Sequence, residues 1–508
     1  MSLDLALSIA RSGLASIQRN LAQTAQNIAN AETPGYTRKT VPQQAMAVAD
    51  LPLGLRNADA RRAVDTALVN QLNGSRGTVA AATVREALLR GIEQAHGAAG
   101  DGATLGDAVS ALGDAFTLLR AAPADAGQQH AVLVAATTLT TRLGDLSRAI
   151  GGARQQAQDG IVQEVSAANA ALRDIAALTI QIKARPPGGS AELEDRRDQA
   201  IATLGESMEV QAVHRPNGEV LLIARGGIAL PLDPDRDVLG TLQATVGPET
   251  FHGAGGSLSG VTLNGSDITG QISGGRLGEY LSLRDRVLPR YQAETDLVAA
   301  NLADRFARQG LALFTDADGT TVPDPAQPYA GSAQVGLAGR LRLSLAVTAA
   351  PRLLRDGTDV VAGGPGGPSA FTPNPPGGPA GFTGLLDRVL TYSLGAEAAA
   401  GVAWAPIAGN GLGPDGTLQS PFPAPATLSG YADSVTVAQL GDRAAATAVR
   451  EGAAGLQTAL EARFAAGSGV DVDAEMAGMV TLQNAYAANA RVISTLQAMW
   501  DALLATRS

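Results

Sequence analysis

Two stretches at opposite ends of this chain carry the same pattern, and that pattern limits what can lie between them. Near the start, Leu3, Leu7, Ala10, Leu14, Ile17, Leu21, Thr24, Ile28 and Ala31 step by four and three without a slip. Near the end, Met479, Leu482, Tyr486, Asn489, Ile493, Leu496, Trp500 and Leu503 step the same way. Such spacing puts each set on one helical stripe, at the period of about 3.5 residues used by coiled-coil seams. Burying a large seam residue is worth roughly 1.5–3 kcal/mol, so both stripes need a partner. The two helices either close one molecule on itself or form a seam between molecules, and periodicity leaves both open. Thr24 and Asn489 are single polar positions of the kind that fix register at some cost in stability.

Between the ends the period changes several times. Pro34-Gly35 suits the centre of a type II turn after the first helix, and residues 37–63 read as irregular or extended. Helical spacing returns near Val64. The stripes Val132–Ile150 and Ile161–Ile182 predict two long helices ahead of a break at Pro186-Pro187, and a shorter helix follows over about 191–205. From Met208 the period is two, with Pro216-Asn217-Gly218 marking a hairpin. Helix is expected again over 278–309 and from about Val437. The Gly/Pro-rich stretch 310–435 offers short strand candidates such as Arg340–Val347, and its loop 363–384 is expected to be exposed.

The order helix, strand, helix, strand, helix brings the two ends together and loops the middle outward. The expected fold is multidomain α+β, with terminal heptad helices paired as a coiled coil, an elongated helical bundle, and outer β-rich parts inserted in the middle. The corresponding divisions are 1–40 with 468–508, 41–206 with 276–310 and 436–467, and 207–275 with 311–435.

Composition closes several functional classes. A net charge of −10, with lysine only at Lys39 and Lys183, argues against nucleic acid and anionic membrane as partners. No apolar run approaches a membrane span, so membrane insertion is not expected. The absence of cysteine removes disulfides, thiolate metal sites and thiol chemistry. Asp4 and Ser8 interrupt the first leucines and no basic n-region precedes them, so no cleaved signal peptide is expected. His96, His130, His214 and His252 are widely separated, and the zinc-protease, hydrolase and P-loop signatures are missing. Asp316, Asp318 and Gly319 read as a plain Asp-Gly turn in preference to a calcium loop, because later acidic ligands are lacking. Glu192, Glu194 and Asp195 read as a solvated helix face. No catalytic, cofactor or metal residue is assigned.

The ends also carry recognisable motifs. Residues 12–40, with Asn27-Ile-Ala-Asn30 followed by Gly35-Tyr36, resemble the N-terminal signature of flagellar axial proteins: rod, hook and hook-associated subunits. Residues 467–508 resemble the matching C-terminal motif, with Ser468–Asp471, then Gln483, Ala485, Tyr486, Ala488, Asn489 and Ala490. The long helices over 64–205 and 278–309 resemble the hook-associated members more than hook or rod subunits.

That resemblance implies a structural subunit outside the cell, at the junction of hook and filament and exported by the flagellar type III apparatus. It implies a ring of copies, contacts with the hook subunit and with a second junction protein (hook-associated protein 3), and an export chaperone on the C-terminal helix. The implied assembly interface is Leu7, Leu14, Ile17, Leu21 and Ile28 against Met479, Leu482, Tyr486, Asn489, Ile493, Leu496, Trp500 and Leu503. A hook or distal-rod subunit, and a passenger enzyme carried on 207–435, are the alternatives. Side-chain charges of +2 over 1–40 and −2 over 468–508 favour pairing of the ends, weakly at physiological salt.

Overall fold

The computed structural model describes residues 3–48, 51–97, 104–185 and 189–505; of residues 3, 47, 48, 51–53 and 57 only the backbone is described, and the Pro186-Pro187 break lies outside these ranges. Helix α1 (Leu3–Ala29) leads through the turn at Pro34-Gly35 into β1 (Lys39–Thr40). Gly35 has φ +75° and Tyr36 N donates to Thr33 O at 3.1 Å, as a type II turn requires. A hairpin follows, β2 (Gln43–Val48) with β3 (Leu51–Asn57), and then β4 (Arg61–Arg62), antiparallel to β1. Next come α2 (Thr66–His96), α3 (Leu105–Ala121), α4 (Ala126–Lys183) and α5 (Ala191–Ser207). Side-chain caps start three of these: Asp65 for α2, a Thr104–Asp107 capping box for α3, and Asp125 for α4.

The two helices expected over 132–182 are one helix of 58 residues. Gly151-Gly152 in its middle disfavours helix by about 2 kcal/mol relative to alanine. Tertiary packing overrides that: Leu146, Ile150, Ala153 and Ala157 are buried against Leu89 and Ile92 of α2 and against Leu283, Leu288 and Tyr291. Three apolar cores lie in succession along α4. Val132, Ala136, Leu139 and Leu143 belong to the first, the Gly-Gly region to the second, and Ile161, Val165, Leu172 and Ile175 to the third.

The third core is covered by small antiparallel sheets. In one, β5 (Val210–His214), β6 (Val220–Ala224) and β7 (Ala229–Leu230) lie in that order, turning at Gly218 with φ +83°. In the other, β9 (Thr262–Leu263) sits between β8 (Leu239–Gly240) and β10 (Ser266–Asp267). Asn169 of α4 holds this second sheet: its Nδ2 donates to Leu239 O, and its Oδ1 accepts from the amides of Val238 and Leu239. Helix then runs from α6 (Gly275–Ser282) through a π turn (Leu283–Val287) into α7 (Leu288–Arg308). Pro289 lacks an amide proton and its ring crowds the preceding turn, so the wider π turn falls where a proline demands it.

Residues 310–427 correct the expectation of a β-rich outer part there. Strands β11 (Phe314–Thr315), β12 (Arg342–Leu343), β13 (Glu397–Ala399) and β14 (Val402–Ala403) are two or three residues long. The short helices α8 (Leu345–Ala349), α9 (Leu353–Asp356) and α10 (Gly384–Arg388) join them; within the segment Arg340–Val347 only β12 is strand, and α8 takes over from Leu345. Leu311, Phe314, Leu337, Leu354 and Leu385 enter the first core beside α3, α4 and α7. A buried carboxylate organises the loop: Asp296 accepts from Tyr329 Oη (2.7 Å), Gly336 N (2.7 Å), Ala338 N (2.8 Å) and Gln292 Nε2 (2.9 Å). Much of 363–384 is exposed, though Phe371 and Asn374 are buried. Asp318 closes a turn on the Thr320 and Thr321 amides, and Asp316 is held by Arg340 at 2.7 Å.

The chain returns through α11 (Leu428–Ser468) and α12 (Val472–Ala505). α11 lies antiparallel to α2 over small residues, with charged rungs Arg76–Glu461, Glu86–Arg450 and Glu93–Arg443. His96 Nε2 and Gln439 Oε1, 2.9 Å apart, form the innermost rung.

Candidate functional site

α1 and α12 pack against each other. Gly13 makes room for the polar seam residue: a Cβ there would sit 3.4 Å from Asn489 Nδ2. On α1, Ile17 is buried, while Leu7, Leu14, Leu21 and Ile28 are half-buried. On α12, Met479, Leu482, Asn489, Ile493 and Leu496 are half-buried. Tyr486, Trp500 and Leu503 stay 37%, 43% and 54% exposed. Residues off the stripe, such as Met476, Val480 and Met499, face solvent. The seam pattern therefore marks the sheltered side of α12, but one copy shelters it only in part. On α1, Ser12 Oγ accepts from Leu55 N of the β2–β3 hairpin at 3.1 Å.

The N-terminal motif forms a buried polar knot at the foot of this pair. Asn27 Nδ2 donates to Lys39 O at 2.9 Å, and Asn27 Oδ1 accepts from Lys39 N (3.2 Å) and Tyr36 Oη (2.9 Å). Asn27 thus pairs like a strand with the exit segment. Asn30 Nδ2 bonds back to Gln26 O at 2.9 Å, closing the end of α1. Lys39 Nζ lies 3.4 Å from the centre of the Tyr36 ring. Burial, with Asp195 and other carboxylates nearby, pushes the Tyr36 phenol up to about 12, so it donates its proton throughout the physiological range.

Asp195 of α5 corrects the reading of a solvated acidic face. It is buried, and it accepts from Lys39 Nζ (2.6 Å), Thr37 Oγ1 (2.6 Å) and Arg62 Nη1 (3.0 Å). Arg62 also reaches Glu194 at 2.8 Å and Asp198 at 2.7 Å. The neighbouring residue ties the knot to the other end of the chain. Arg38 N donates to Ser468 O at 2.8 Å, and Arg38 Nε meets Glu475 at 2.5 Å. Three consecutive residues, Thr37 to Lys39, therefore bind both α5 of the body and the α11–α12 turn.

In the C-terminal motif, Asp471 Oδ1 accepts from Ala474 N at 3.0 Å and starts α12, while Gln483 is exposed and Ala490 half-buried. Lys39, Arg62, Asp195 and Glu475 were not foreseen as site residues. The one available signal was Lys39 itself, one of only two lysines and adjacent to the motif. No group of three or more His, Cys, Asp or Glu able to hold a metal occurs among the described residues, and no described helix is long and apolar enough to cross a membrane.

Comparison with known families agrees with this layout. Residues 7–37 match the flagella basal body rod protein family, and residues 461–506 match the flagellar basal body rod FlgEFG protein C-terminal family. These two matched terminal segments are the ones that fold onto each other here as α1 and α12. Residues 91–321 between them match the helical domain of flagellar hook-associated protein FlgK. That helical-domain match covers a little under half of the chain. No curated protein matches the chain. Among solved structures it is similar to the flagellar hook junction protein FlgK from Burkholderia pseudomallei, at 22% identity and a TM-score of 0.40. The matched part is 50% of this chain and 46% of that one, so the chain spans about half the length of that relative.

Proposed function

We propose that the chain is a structural, non-enzymatic subunit of the bacterial flagellum, set at the junction between hook and filament and required for filament assembly. The observation that carries this reading is the FlgK helical domain over 91–321, held between rod-type ends that pack together as α1 and α12. The terminal pair, with the seam residues Leu7 to Ile28 and Met479 to Leu503, serves as the assembly interface and adopts heptad coiled-coil packing. Copies form a ring that meets the hook subunit on one side and hook-associated protein 3 on the other. The exposed apolar residues of α12 give an export chaperone its target before assembly. The protein acts outside the cell, delivered without a cleaved signal peptide. The terminal pair, the helical rod around α4, and the parts looped out at 207–275 and 311–435 are its working divisions.

The decisive experiment is electron microscopy of cells lacking the gene, with flagellin assayed in the medium. Complete hooks without filaments, and flagellin lost to the medium, are expected. Missing or truncated hooks would instead make the chain a hook or rod subunit.

A further inference from the structure

A groove of about 530 Å³ runs between the exposed face of α7, the turn at Pro325–Tyr329 and the segment Ala403–Ala408. Its floor holds an arginine whose charge is not matched. Arg305 is 2% exposed and its Nη1 donates to two carbonyls, Ala426 O (2.9 Å) and Gly395 O (3.3 Å). Its Nε and Nη2 bond to nothing among the described residues, and they are not sealed off, since the side chain lines the groove. Among the described residues no carboxylate lies within ion-pair distance of it. The adjacent Asp304 is taken by Arg308 at 2.9 Å, and the nearby Asp324 turns to Ala326 N and Gln327 Nε2.

A buried guanidinium without an anion is costly, and burial lowers the Arg305 pKa to about 10 despite the carboxylate of Asp304 beside it. The unpaired Nε–Nη2 edge is the one that meets both oxygens of a carboxylate in a fork. Beside it Asn301, 8% exposed, uses Nδ2 on Leu297 O and leaves Oδ1 without a partner among the described residues. The wall carries Trp404, whose ring centre lies 5.2 Å from the Arg305 guanidinium and whose Nε1 is fixed on Tyr392 O at 2.8 Å. Pro406 continues this apolar wall.

We infer that this groove binds a small carboxylate-bearing ligand, its carboxylate on the Nε–Nη2 edge of Arg305, a hydroxyl or amide donor on Asn301 Oδ1, and its carbon skeleton against Trp404 and Pro406. An acidic sugar and an acidic amino-acid derivative present the same chemistry. The inference does not use the junction reading, since it is argued from side chains of α7 and the 310–427 segment alone and none of them lies on α1 or α12.

The chain has two tryptophans, so Trp500→Phe in the full-length protein leaves Trp404 as the sole indole reporter. Its fluorescence is followed on adding D-glucuronate, N-acetylglutamate amide, or D-glucose as the uncharged control. A saturable change with either acid and none with glucose is expected, the tighter acid identifying the source of the carboxylate. Arg308→Ala then serves as the second variant. It removes a half-exposed cation that also lines the groove and leaves Asp304, beside Arg305, without its partner, so it should weaken the acid roughly tenfold. An equal response to glucose, no saturation with either acid, or unchanged binding in Arg308→Ala would each overturn the inference.

Discussion

Lys39 Nζ lies 2.6 Å from a carboxylate oxygen of Asp195, and both side chains are almost wholly buried although 156 positions separate them in the chain. This pair fastens the foot of the terminal helices to the helical body. Lys39→Met would leave Asp195 with only Arg62 and Thr37, and should cost about 3 kcal/mol in urea unfolding. Adding Asp195→Asn should restore part of the loss, giving a coupling above about 1 kcal/mol. Strictly additive single effects would show that the pair does not act as a unit.

Glu294 of α7 makes the fold sensitive to pH. It is fully buried, accepts from Ser420 Oγ (3.2 Å) and Gln439 Nε2 (3.3 Å), and lies 3.6 Å from Arg290. Burial pushes its carboxyl from 4.5 up to about 7. The folded state therefore holds this proton more tightly than the unfolded chain. The group's contribution is complete below 4.5 and is lost as pH rises through about 7. The loss amounts to at most about 3 kcal/mol. Glu294→Gln should flatten the urea midpoint between pH about 5 and about 8 relative to the unaltered chain, and the difference between the two isolates this residue.

Ile493 and Leu496 are half-buried on the side of α12 that faces α1. Ile493→Asp or Leu496→Asp should block incorporation into the flagellum while the thermal unfolding of the body stays unchanged. Cells that carry either variant and grow normal filaments would refute the role given to this face.

Gly35 stands at φ +75°, and a Cβ there would come within 2.2 Å of Gln199 Nε2. Gly35→Ala should therefore lower stability by about 1–2 kcal/mol through left-handed strain. Amide exchange should quicken across Asn27–Lys39, next to the turn. Unchanged exchange there would mean that the turn accommodates a side chain freely.

The terminal helices were legible because a stripe such as Leu14, Ile17, Leu21 is visible without any knowledge of what covers it. The motif residues Asn27 and Tyr36 were legible as a signature, but their work was not, since it is done on the backbone of Lys39 and beside a carboxylate far along the chain. Asp195 was hidden in an acidic run on a short helix, where a buried member looks like its more exposed neighbours Glu192 and Glu194. Gly151-Gly152 concealed the continuity of α4, because local propensity carries no record of the tertiary contacts at Leu146 and Ile150. In 310–427, Leu311, Leu337 and Leu354 fill the core from irregular loops, so no period betrays them. Arg305 gave no signal at all: an arginine near the end of an amphipathic helix looks ordinary until its partners are counted.

The unbroken hydrogen bonding of α4 has a mechanical meaning. At 58 residues it is roughly 87 Å long, and all three apolar cores are attached to it. A subunit built on such a lever has no soft joint along its middle in which to absorb a bend. Tilting one end by ten degrees displaces the other by roughly 15 Å. Small changes in how the ends of the chain are seated on α5, beside the third core, would thus be magnified into large excursions at the far end, where the segment 310–427 is carried.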